Sequence, residues 1–393
     1  MNLAVILPRW VGDSCMATPL LRGLRAHFGP RARITGVMRP IIADLFAGTD
    51  WLDGTIAYDR HKKDPALGFK AAARALRALR PDVTLVLPGS LSAAALAFRG
   101  GARSRVGFAG TLRRLLLTDV LPVPRLGRER QAVPPPVAYL AIGAAIGLPS
   151  QPLQLELATT REDERLAETV LTRLFPRRDP GGGDPLVVLN DNSSNGTARA
   201  WGVAKHAALA RWLVERVPGA CVLVHCGPGD RDQARAIVAQ ASHPGVAGLG
   251  DVADLPLGLS KAVYRRAALS VSSDSGPRHI GASFGVPTVV LLGPTDSVLG
   301  RSDEERCVEM RKPLVCSPCN EAVCPLGHHD CMRLITVEEV GRAALEALCV
   351  ALSTRRVPRD PGAPLCAPFK APSPHEVRLA LVELGWRRVA RPH

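Results

Sequence analysis

Short apolar runs rich in β-branched residues alternate with longer segments of helical spacing along most of this chain. In the first half these runs cover residues 3–7, 34–38, 55–58, 83–87 and 104–108. In the second half they cover residues 186–189, 221–225, 268–271 and 287–292. Strands that alternate with helices indicate βαβ units and a parallel sheet, because parallel strands need a crossover between them. The sequence therefore predicts an α/β protein.

The two sets of runs are separated by residues 176–184, which are rich in proline, glycine and charge. Such a composition is typical of a linker, and 393 residues are enough for two ordinary domains. We predict two Rossmann-like domains at residues 1–178 and 184–352, followed by a proline- and arginine-rich extension at 353–393. The first strand is not followed by G-x-G-x-x-G, so a dinucleotide fingerprint is not predicted.

Residues 272–279, Ser-Ser-Asp-Ser-Gly-Pro-Arg-His, join an apolar strand to a segment of small residues with helical character. We expect Asp274 or Ser275 to cap this helix and Pro277 to occupy its first position, where no N–H is needed. The start of a helix has unpaired N–H groups and the positive end of the dipole, and both favour a bound anion. His279 lies one turn further on and can supply a proton or a charge. The motif therefore indicates either a phosphate site or an ordinary cap beside a surface histidine.

The net charge is +14, from 50 Lys and Arg against 36 Asp and Glu, and it favours an anionic partner such as a nucleotide, a phosphorylated glycolipid or a membrane surface. Aromatic residues make up only 4% of the chain, too few for a platform that stacks single-stranded bases, so no nucleic-acid partner is predicted. The longest apolar segment, residues 137–148, is shorter than the roughly 20 residues that span a bilayer. No secretory leader is recognised before residues 3–7. We expect a cytosolic protein.

Four of the ten cysteines lie close together in the sequence, at Cys316, Cys319, Cys324 and Cys331. A C-x-x-C pair followed by two further cysteines is typical of zinc sites. Thiols stay reduced in the cytosol, so the same spacing also fits a compact loop of free cysteines. We assign no metal and leave zinc as one of these two interpretations.

Five motifs follow one another in a fixed order. They are Trp-Val-Gly-Asp at 10–13, Val-Gly-Phe at 106–108, Asp-Ser-Gly-x-x-His at 274–279, Gly-Pro-Thr at 293–295, and the cysteine pattern with its Cys-Pro-Leu-Gly-His segment at 316–332. Together they resemble glycosyltransferase family 9, the bacterial lipopolysaccharide heptosyltransferases, and within it the heptosyltransferase II branch. The resemblance implies a GT-B fold, in which two Rossmann-like domains face a central cleft. The first would bind the acceptor and the second the donor.

The resemblance also implies a reaction and its partners. The reaction is inverting transfer of a heptose from ADP-heptose to the inner core of lipopolysaccharide, on a lipid A-linked acceptor, with no cofactor required. The partners are the nucleotide-sugar donor and the lipopolysaccharide-core acceptor. Such a protein is cytoplasmic, either free or in peripheral contact with the inner face of the inner membrane.

Individual roles follow from the same resemblance. Asp13 matches the catalytic aspartate that takes the proton of the acceptor hydroxyl, although an aspartate there also fits a cap of the first helix. The implied donor contacts are Ser193, Ser194, Arg199, Leu255, Asp274, Ser275, Gly276 and His279. On the acceptor side we expect Gly12, with Arg103 and Arg105 from a basic stretch that otherwise reads as an exposed loop.

The chain departs from the family pattern in its donor loop. Asp191-Asn192-Ser193 replace the usual Pro-Gly-Ala, and Gly202 replaces the usual proline after Trp201. These departures leave the donor sugar open. The alternatives are another GT-B sugar-nucleotide enzyme, with a different donor or an epimerase activity, and a non-catalytic nucleotide- or metal-binding protein.

Overall fold

Two six-stranded sheets organise the chain. The computed structural model describes residues 1–126, 129–179, 183–191, 196–300 and 306–355. Within these ranges the chain packs as two units, unit 1 from Met1–Leu155 and unit 2 from Glu156–Gly300 together with residues 306–355. All neighbouring strands of both sheets pair in parallel. The predicted α/β class with two Rossmann-like domains is confirmed.

The described part of unit 1 contains one of the sheets and six helices. Its sheet strands are β1 (Asn2–Ile6), β2 (Arg33–Met38), β3 (Gly54–Ala57), β4 (Val83–Val86), β5 (Ser104–Phe108) and β6 (Asp119–Leu121). An antiparallel pair follows, β7 (Arg125–Leu126) and β8 (Glu129–Arg130). The helices are α1 (Val11–Cys15), α2 (Thr18–Phe28), α3 (Pro40–Phe46), α4 (Phe69–Leu79), α5 (Leu91–Gly100) and α6 (Pro135–Ala144), with 3-10 turns at Pro65–Leu67 and Arg113–Leu115.

Unit 2 repeats the plan. Its first helix is α7 (Arg161–Leu174), and its strands are β9 (Leu186–Asn190), β10 (Cys221–Val224), β11 (Val246–Gly248), β12 (Leu269–Ser273), β13 (Thr288–Leu291) and β14 (Cys307–Met310). The other helices are α8 (Val203–Arg216), α9 (Arg231–Ala241), α10 (Leu257–Arg266), α11 (Gly276–Ser283), α12 (Ser297–Gly300), α13 (Asp330–Arg333) and α14 (Val337–Arg355). Three 3-10 turns lie at Thr197–Arg199, Pro228–Asp230 and Leu249–Asp251. The predicted extension 353–393 lies outside the described residues beyond position 355.

The strand order is the same in both sheets. Unit 1 has the order β3-β2-β1-β4-β5-β6 and unit 2 the order β11-β10-β9-β12-β13-β14. The order reverses beside the first strand of each sheet, so the crossover helices cover opposite faces and leave a crevice at the carboxyl ends of the central strands. The crevice lies after β1 and β4 in unit 1, and after β9 and β12 in unit 2. Polar residues that follow these strands are therefore the ones expected to meet a ligand.

The division between the units falls earlier than the predicted linker at 176–184, because α7 packs against α10 of unit 2. The ammonium of Lys261, fully buried on α10, lies 3.4 Å from the Asp163 carboxylate on α7. A β-carbon at Gly258 would collide with the same carboxylate, so glycine lets the helices approach closely. Proline and glycine mark where helices and strands stop. They do not indicate against which unit the helix before the linker, α7, packs.

Candidate active site

The loop after β12 is organised by a buried ion pair. Asp274 follows the last residue of that strand, and its Oδ1 accepts a hydrogen bond from Arg278 Nη1 at 3.0 Å. Arg278 lies one helical turn later and is only 1% exposed. The guanidinium balances the carboxylate, so Asp274 orders the loop without adding an uncompensated negative charge to it.

Ser275 occupies the N-cap position of α11, but its side chain makes no cap hydrogen bond to that helix. Its hydroxyl instead donates to Asn190 Oδ1 at 3.2 Å, across to the end of β9. The predicted side-chain cap is therefore wrong for Ser275. Pro277 lies at the second position of α11, one later than predicted, because the helix begins at Gly276. Asp274, the other predicted cap, pairs with Arg278. Because Ser275 is turned away, its hydroxyl does not compete with a ligand for the first N–H groups of α11.

Arg199 and His279 both lie at this loop. Arg199 Nη1 donates to the backbone carbonyl of Asp274 at 2.8 Å, although the two residues are 75 positions apart in the sequence. A guanidinium charge therefore stands beside the positive end of α11. His279 is buried inside α11, so the alternative of a surface histidine is wrong, and Gly276 is half-buried.

Three other predicted donor residues are less informative. Ser193 and Ser194 lie outside the described residues. Leu255 is half-buried in the loop between β11 and α10. The Arg231 guanidinium steadies that loop, because it donates to the carbonyls of Gly250 at 3.0 Å and Ala253 at 2.8 Å.

A series of hydrogen-bonded, buried polar side chains, which the sequence did not predict, supports the position of the Ser275 hydroxyl. Asn190 Nδ2 donates to the His225 carbonyl at 3.1 Å and lies 3.3 Å from His225 Nδ1. His225 Nε2 is 2.8 Å from Ser260 Oγ. Burial lowers the pKa of His225 to about 4, so the ring is neutral near pH 7. The amide nitrogen faces His225, which turns the Asn190 oxygen towards Ser275. His225 directly follows β10. This position at the carboxyl end of a strand is the sequence feature from which its place in the site could have been predicted.

Asp191 fixes the chain around the departures from the family pattern. Its Oδ1 accepts from the Trp201 N–H at 3.0 Å, and its Oδ2 accepts from the Gly202 N–H at 3.1 Å. Gln233 Nε2 on α9 donates to the same Oδ2 at 2.9 Å. The Asp191 carboxylate therefore joins the end of β9 to the segment that carries Arg199 and to α9.

In unit 1, Asp13 lies in the first turn of α1, shortly after β1, and is half-buried. The N-cap of α1 is Trp10, so the alternative of Asp13 as a cap residue is wrong. Burial raises the pKa of Tyr139 on α6 well above its ordinary range, and the nearby Asp13 carboxylate adds to this. Tyr139 is thus a neighbour of Asp13 that the sequence did not indicate. Gly12 is buried beside it.

The two predicted acceptor arginines have different surroundings. Arg103 is exposed. The Arg105 guanidinium donates to the carbonyls of Leu116 at 2.7 Å and Ala102 at 2.6 Å, so it ties together the chain around β5.

Arg113, which was not predicted individually as a site residue, is a buried cation in this region. It is 2% exposed, and its Nε and Nη2 have no hydrogen-bond partner among the described residues. Burial lowers its pKa. A β-carbon at Gly107, on β5, would lie 3.2 Å from Nη2, so glycine gives the guanidinium its space. A buried cation without a partner is costly, and an arriving anion would relieve that cost.

The four cysteines Cys316, Cys319, Cys324 and Cys331 line one small cavity with His328, and each is a free thiol. Backbone N–H groups around Cys324, chiefly that of His329, lower its pKa, whereas burial and the neighbouring cysteines raise that of Cys331. In the part of the chain that the structure describes, no three His, Cys, Asp or Glu side chains are placed so that they could hold a metal ion. The interpretation of this cluster as a zinc site gains no support from that arrangement.

Comparison with known proteins gives a consistent set of relatives. The sequence model of glycosyltransferase family 9 (heptosyltransferase) matches residues 69–329. Lipopolysaccharide heptosyltransferase 2 of Escherichia coli (strain K12) is 28% identical over 307 residues, covering 75% of this chain and 83% of that protein. Lipooligosaccharide heptosyltransferase 2 of Haemophilus ducreyi is 27% identical over 315 residues, covering 75% of this chain and 84% of that protein.

Solved structures extend the likeness to the fold. A glycosyl transferase of family 9 from Veillonella parvula superposes with a TM-score of 0.73 at 22% identity, over 89% of this chain and 97% of that one. The E. coli ADP-heptose lipopolysaccharide heptosyltransferase II gives a TM-score of 0.69 at 23% identity, over 91% of this chain and all of that one. At these identities the likeness concerns the fold, and it confirms the predicted GT-B class.

Proposed function

Since this chain belongs to glycosyltransferase family 9, we propose that it transfers a heptose from ADP-heptose to the inner core of lipopolysaccharide, on a lipid A-linked acceptor, with inversion of the anomeric carbon. The family membership predicted from the motifs is confirmed, and the chain is a glycosyltransferase. Two relatives named heptosyltransferase 2 share 27–28% identity over three quarters of this chain, which favours heptose as the sugar.

The observation that carries the donor half of the proposal is the hydrogen bond from Ser275 to Asn190. It leaves the positive end of α11 uncapped by that serine, beside the guanidinium of Arg199. Backbone N–H groups and a nearby arginine are the donors that a diphosphate prefers. Both would stabilise the charge that grows on the departing ADP as the bond to the sugar breaks.

Asp13 is proposed as the general base. The acceptor hydroxyl attacks the anomeric carbon on the face opposite to ADP. Its proton passes to the Asp13 carboxylate. At the same time the bond between the anomeric carbon and the phosphate oxygen breaks, and ADP leaves with the electron pair of that bond. One attack from the opposite face inverts the carbon. The half-buried position of Asp13, shortly after the first strand of its sheet, suits a base that meets a bound hydroxyl.

On the acceptor side, the buried guanidinium of Arg113 supports an acceptor that carries a carboxylate or a phosphate. Its Nε and Nη2, which have no partner among the described residues, would each donate a charge-assisted hydrogen bond to such a group. The site needs no metal or cofactor for the steps described. Each of these steps is assigned to side chains or backbone groups of this chain.

The proposal is tested by following ADP release from ADP-heptose by the purified protein, with and without a heptosylated Kdo–lipid A acceptor. ADP release that depends on the acceptor is the expected result. Conversion of the donor to another sugar nucleotide without an acceptor would point to an epimerase. ADP binding without any turnover of the donor would contradict the proposed reaction and favour a non-catalytic nucleotide-binding protein.

A further inference from the structure

Unit 1 exposes an unusual group of apolar side chains between α5 and β6. Phe98 near the end of α5 is 48% exposed, and Leu112 and Leu115 around the 3-10 turn are 58% and 77% exposed. Val120 on the edge strand β6 is exposed as well. Single exposed apolar residues are ordinary, but several that lie on neighbouring segments mark a surface that binds something.

Arginines are interleaved with these apolar residues. Arg99, Arg103 and Arg114 are exposed, and the Arg105 guanidinium lies over the Phe98 ring at 5.5 Å from its centroid. Residues 91–121 contain five arginines and no lysine, and their only acidic residue is Asp119. The Asp119 carboxylate is occupied locally, because it accepts from the Ser104 and Thr118 hydroxyls at 2.7 Å each.

These residues form one surface. The 3-10 turn Arg113–Leu115 packs beside α5. Arg105, which stacks on Phe98, also donates to the Leu116 carbonyl directly after the turn. β5 and β6 are paired, with Gly107 opposite Val120. The basic–apolar patch is therefore defined as Phe98, Leu112, Leu115 and Val120 with Arg99, Arg103, Arg105 and Arg114.

We propose that the basic–apolar patch binds the surface of an anionic phospholipid bilayer. Apolar side chains that enter the interface and arginines that meet lipid phosphates are two weak signals, which together hold a protein at a membrane. The described residues contain no helix that is both long and apolar enough to span a bilayer. A second copy of the chain is a poorer occupant, because a two-fold interface would bring the same arginines together.

The patch also explains the orientation of the 3-10 turn. Arg113 points inward and is buried, while its neighbours Leu112 and Arg114 point outward. The Arg113 guanidinium of this short turn therefore faces the interior of unit 1, while Leu112 and Arg114 belong to the exposed basic–apolar patch. An acceptor anchored in a lipid surface would arrive beside the residue proposed to bind its anionic group. The lipid contact itself does not depend on the transfer reaction.

The test is co-sedimentation of the whole protein with vesicles of phosphatidylcholine alone or mixed with phosphatidylglycerol. We expect binding only to the mixed vesicles, and weaker binding as salt screens the charges. Leu115→Ser should weaken binding about tenfold, since the side chain of a leucine no longer enters the interface. Arg99→Gln combined with Arg114→Gln should weaken it by a similar factor.

Val315→Ser is the matched control, because Val315 is fully exposed in unit 2, outside the patch. Its vesicle binding should equal that of the unmodified protein. Leu115 is mostly exposed, so its variant should keep the thermal unfolding midpoint. Equal binding to neutral vesicles, or equal losses in the Leu115 and Val315 variants, would overturn the proposal. So would a dimer in solution that Leu115→Ser dissociates, since the patch would then bind a second copy.

Discussion

The Asp191 carboxylate accepts a hydrogen bond from the backbone N–H of Gly202 at 3.1 Å. A proline, which is usual at this position in glycosyltransferase family 9, has no N–H to donate. Gly202 also has a φ of +101°, far from the value near −65° that a proline ring imposes. The two departures from the family pattern therefore depend on each other: the carboxylate at 191 holds a conformation at 202 that only glycine adopts readily.

Restoring the usual proline should damage this loop. Gly202→Pro removes the donor to Asp191 and excludes the observed φ, so we expect a loss of about 3 kcal/mol or more in the free energy of unfolding. Gly202→Ala keeps the N–H and has no atom within 4 Å of its new methyl group, so it should lose only about 1–2 kcal/mol from the positive φ. Urea unfolding measures both. Equal losses would show that neither the hydrogen bond to Asp191 nor the fixed φ of the proline ring adds to the cost.

Arg113→Met should separate stability from activity. The substitution removes a buried cation whose Nε and Nη2 have no hydrogen-bond partner among the described residues, so the free energy of unfolding should stay the same or rise. The KM for the acceptor should rise about tenfold or more, because an anion loses a charge-assisted partner. The donor KM should not change. Arg74→Met, at an exposed arginine on α4, is the control for a general loss of charge. A variant that is both less stable and unaltered in acceptor KM would show that Arg113 serves the fold.

Asp13→Asn should abolish transfer while leaving ADP binding intact. An amide has nearly the same shape as the carboxylate but cannot take the proton of the acceptor hydroxyl, so kcat should fall about 10²–10⁴-fold. Asp13 belongs to unit 1, whereas the proposed donor contacts belong to unit 2. ADP release gives kcat, and calorimetry gives the affinity for ADP. Near-normal turnover in this variant would remove Asp13 from the mechanism.

His225 should make the fold sensitive to mild acid. Burial lowers its pKa from 6.5 to about 4, so above pH 6.5 the ring is neutral in both the folded and the unfolded chain. Between these values the unfolded chain binds the proton first, and stability falls as the pH falls. The loss from this group should reach about 1.4 kcal/mol at pH 5.5. His225→Gln lacks the titration, so its unfolding free energy should approach that of the unmodified protein as the pH drops from 7.5 to 5.5. Parallel pH dependences would contradict this.

Most of the predicted strands have buried, apolar sequences, and β3 is the exception, an edge strand with two exposed residues. Among the described residues, five strands were not indicated by the sequence. β7 and β8 are an isolated pair of two residues each, and β6, β11 and β14 each lie at an edge of their sheet. An edge strand has a neighbour on one side only and is less covered, so it needs no continuous apolar run. β14 shows this directly, because all four of its residues are at least partly exposed.

The candidate site was predictable where a residue follows a strand in a recognised motif, as with Asp13 and the loop at 274–279. It was not predictable where a polar residue gains its role from distant contacts. Ser275 reads as a helix cap in sequence, yet its hydroxyl bonds to Asn190, 85 positions earlier. Arg113 is one of several arginines in a basic stretch, and only packing around Gly107 makes it the buried one.

The repeated strand order has a consequence for how such a protein acquires new specificities. Each sheet has its own buried strands and its own set of loops at the carboxyl ends. Substitutions in the loops after β9 and β12 therefore alter the surroundings of Ser275 and Arg199 without disturbing the core that supports Asp13 and Arg113. With the donor bound by unit 2 and the acceptor by unit 1, as proposed, a change of donor sugar and a change of acceptor are separable steps, and each can accumulate while the other half of the chain keeps its sequence.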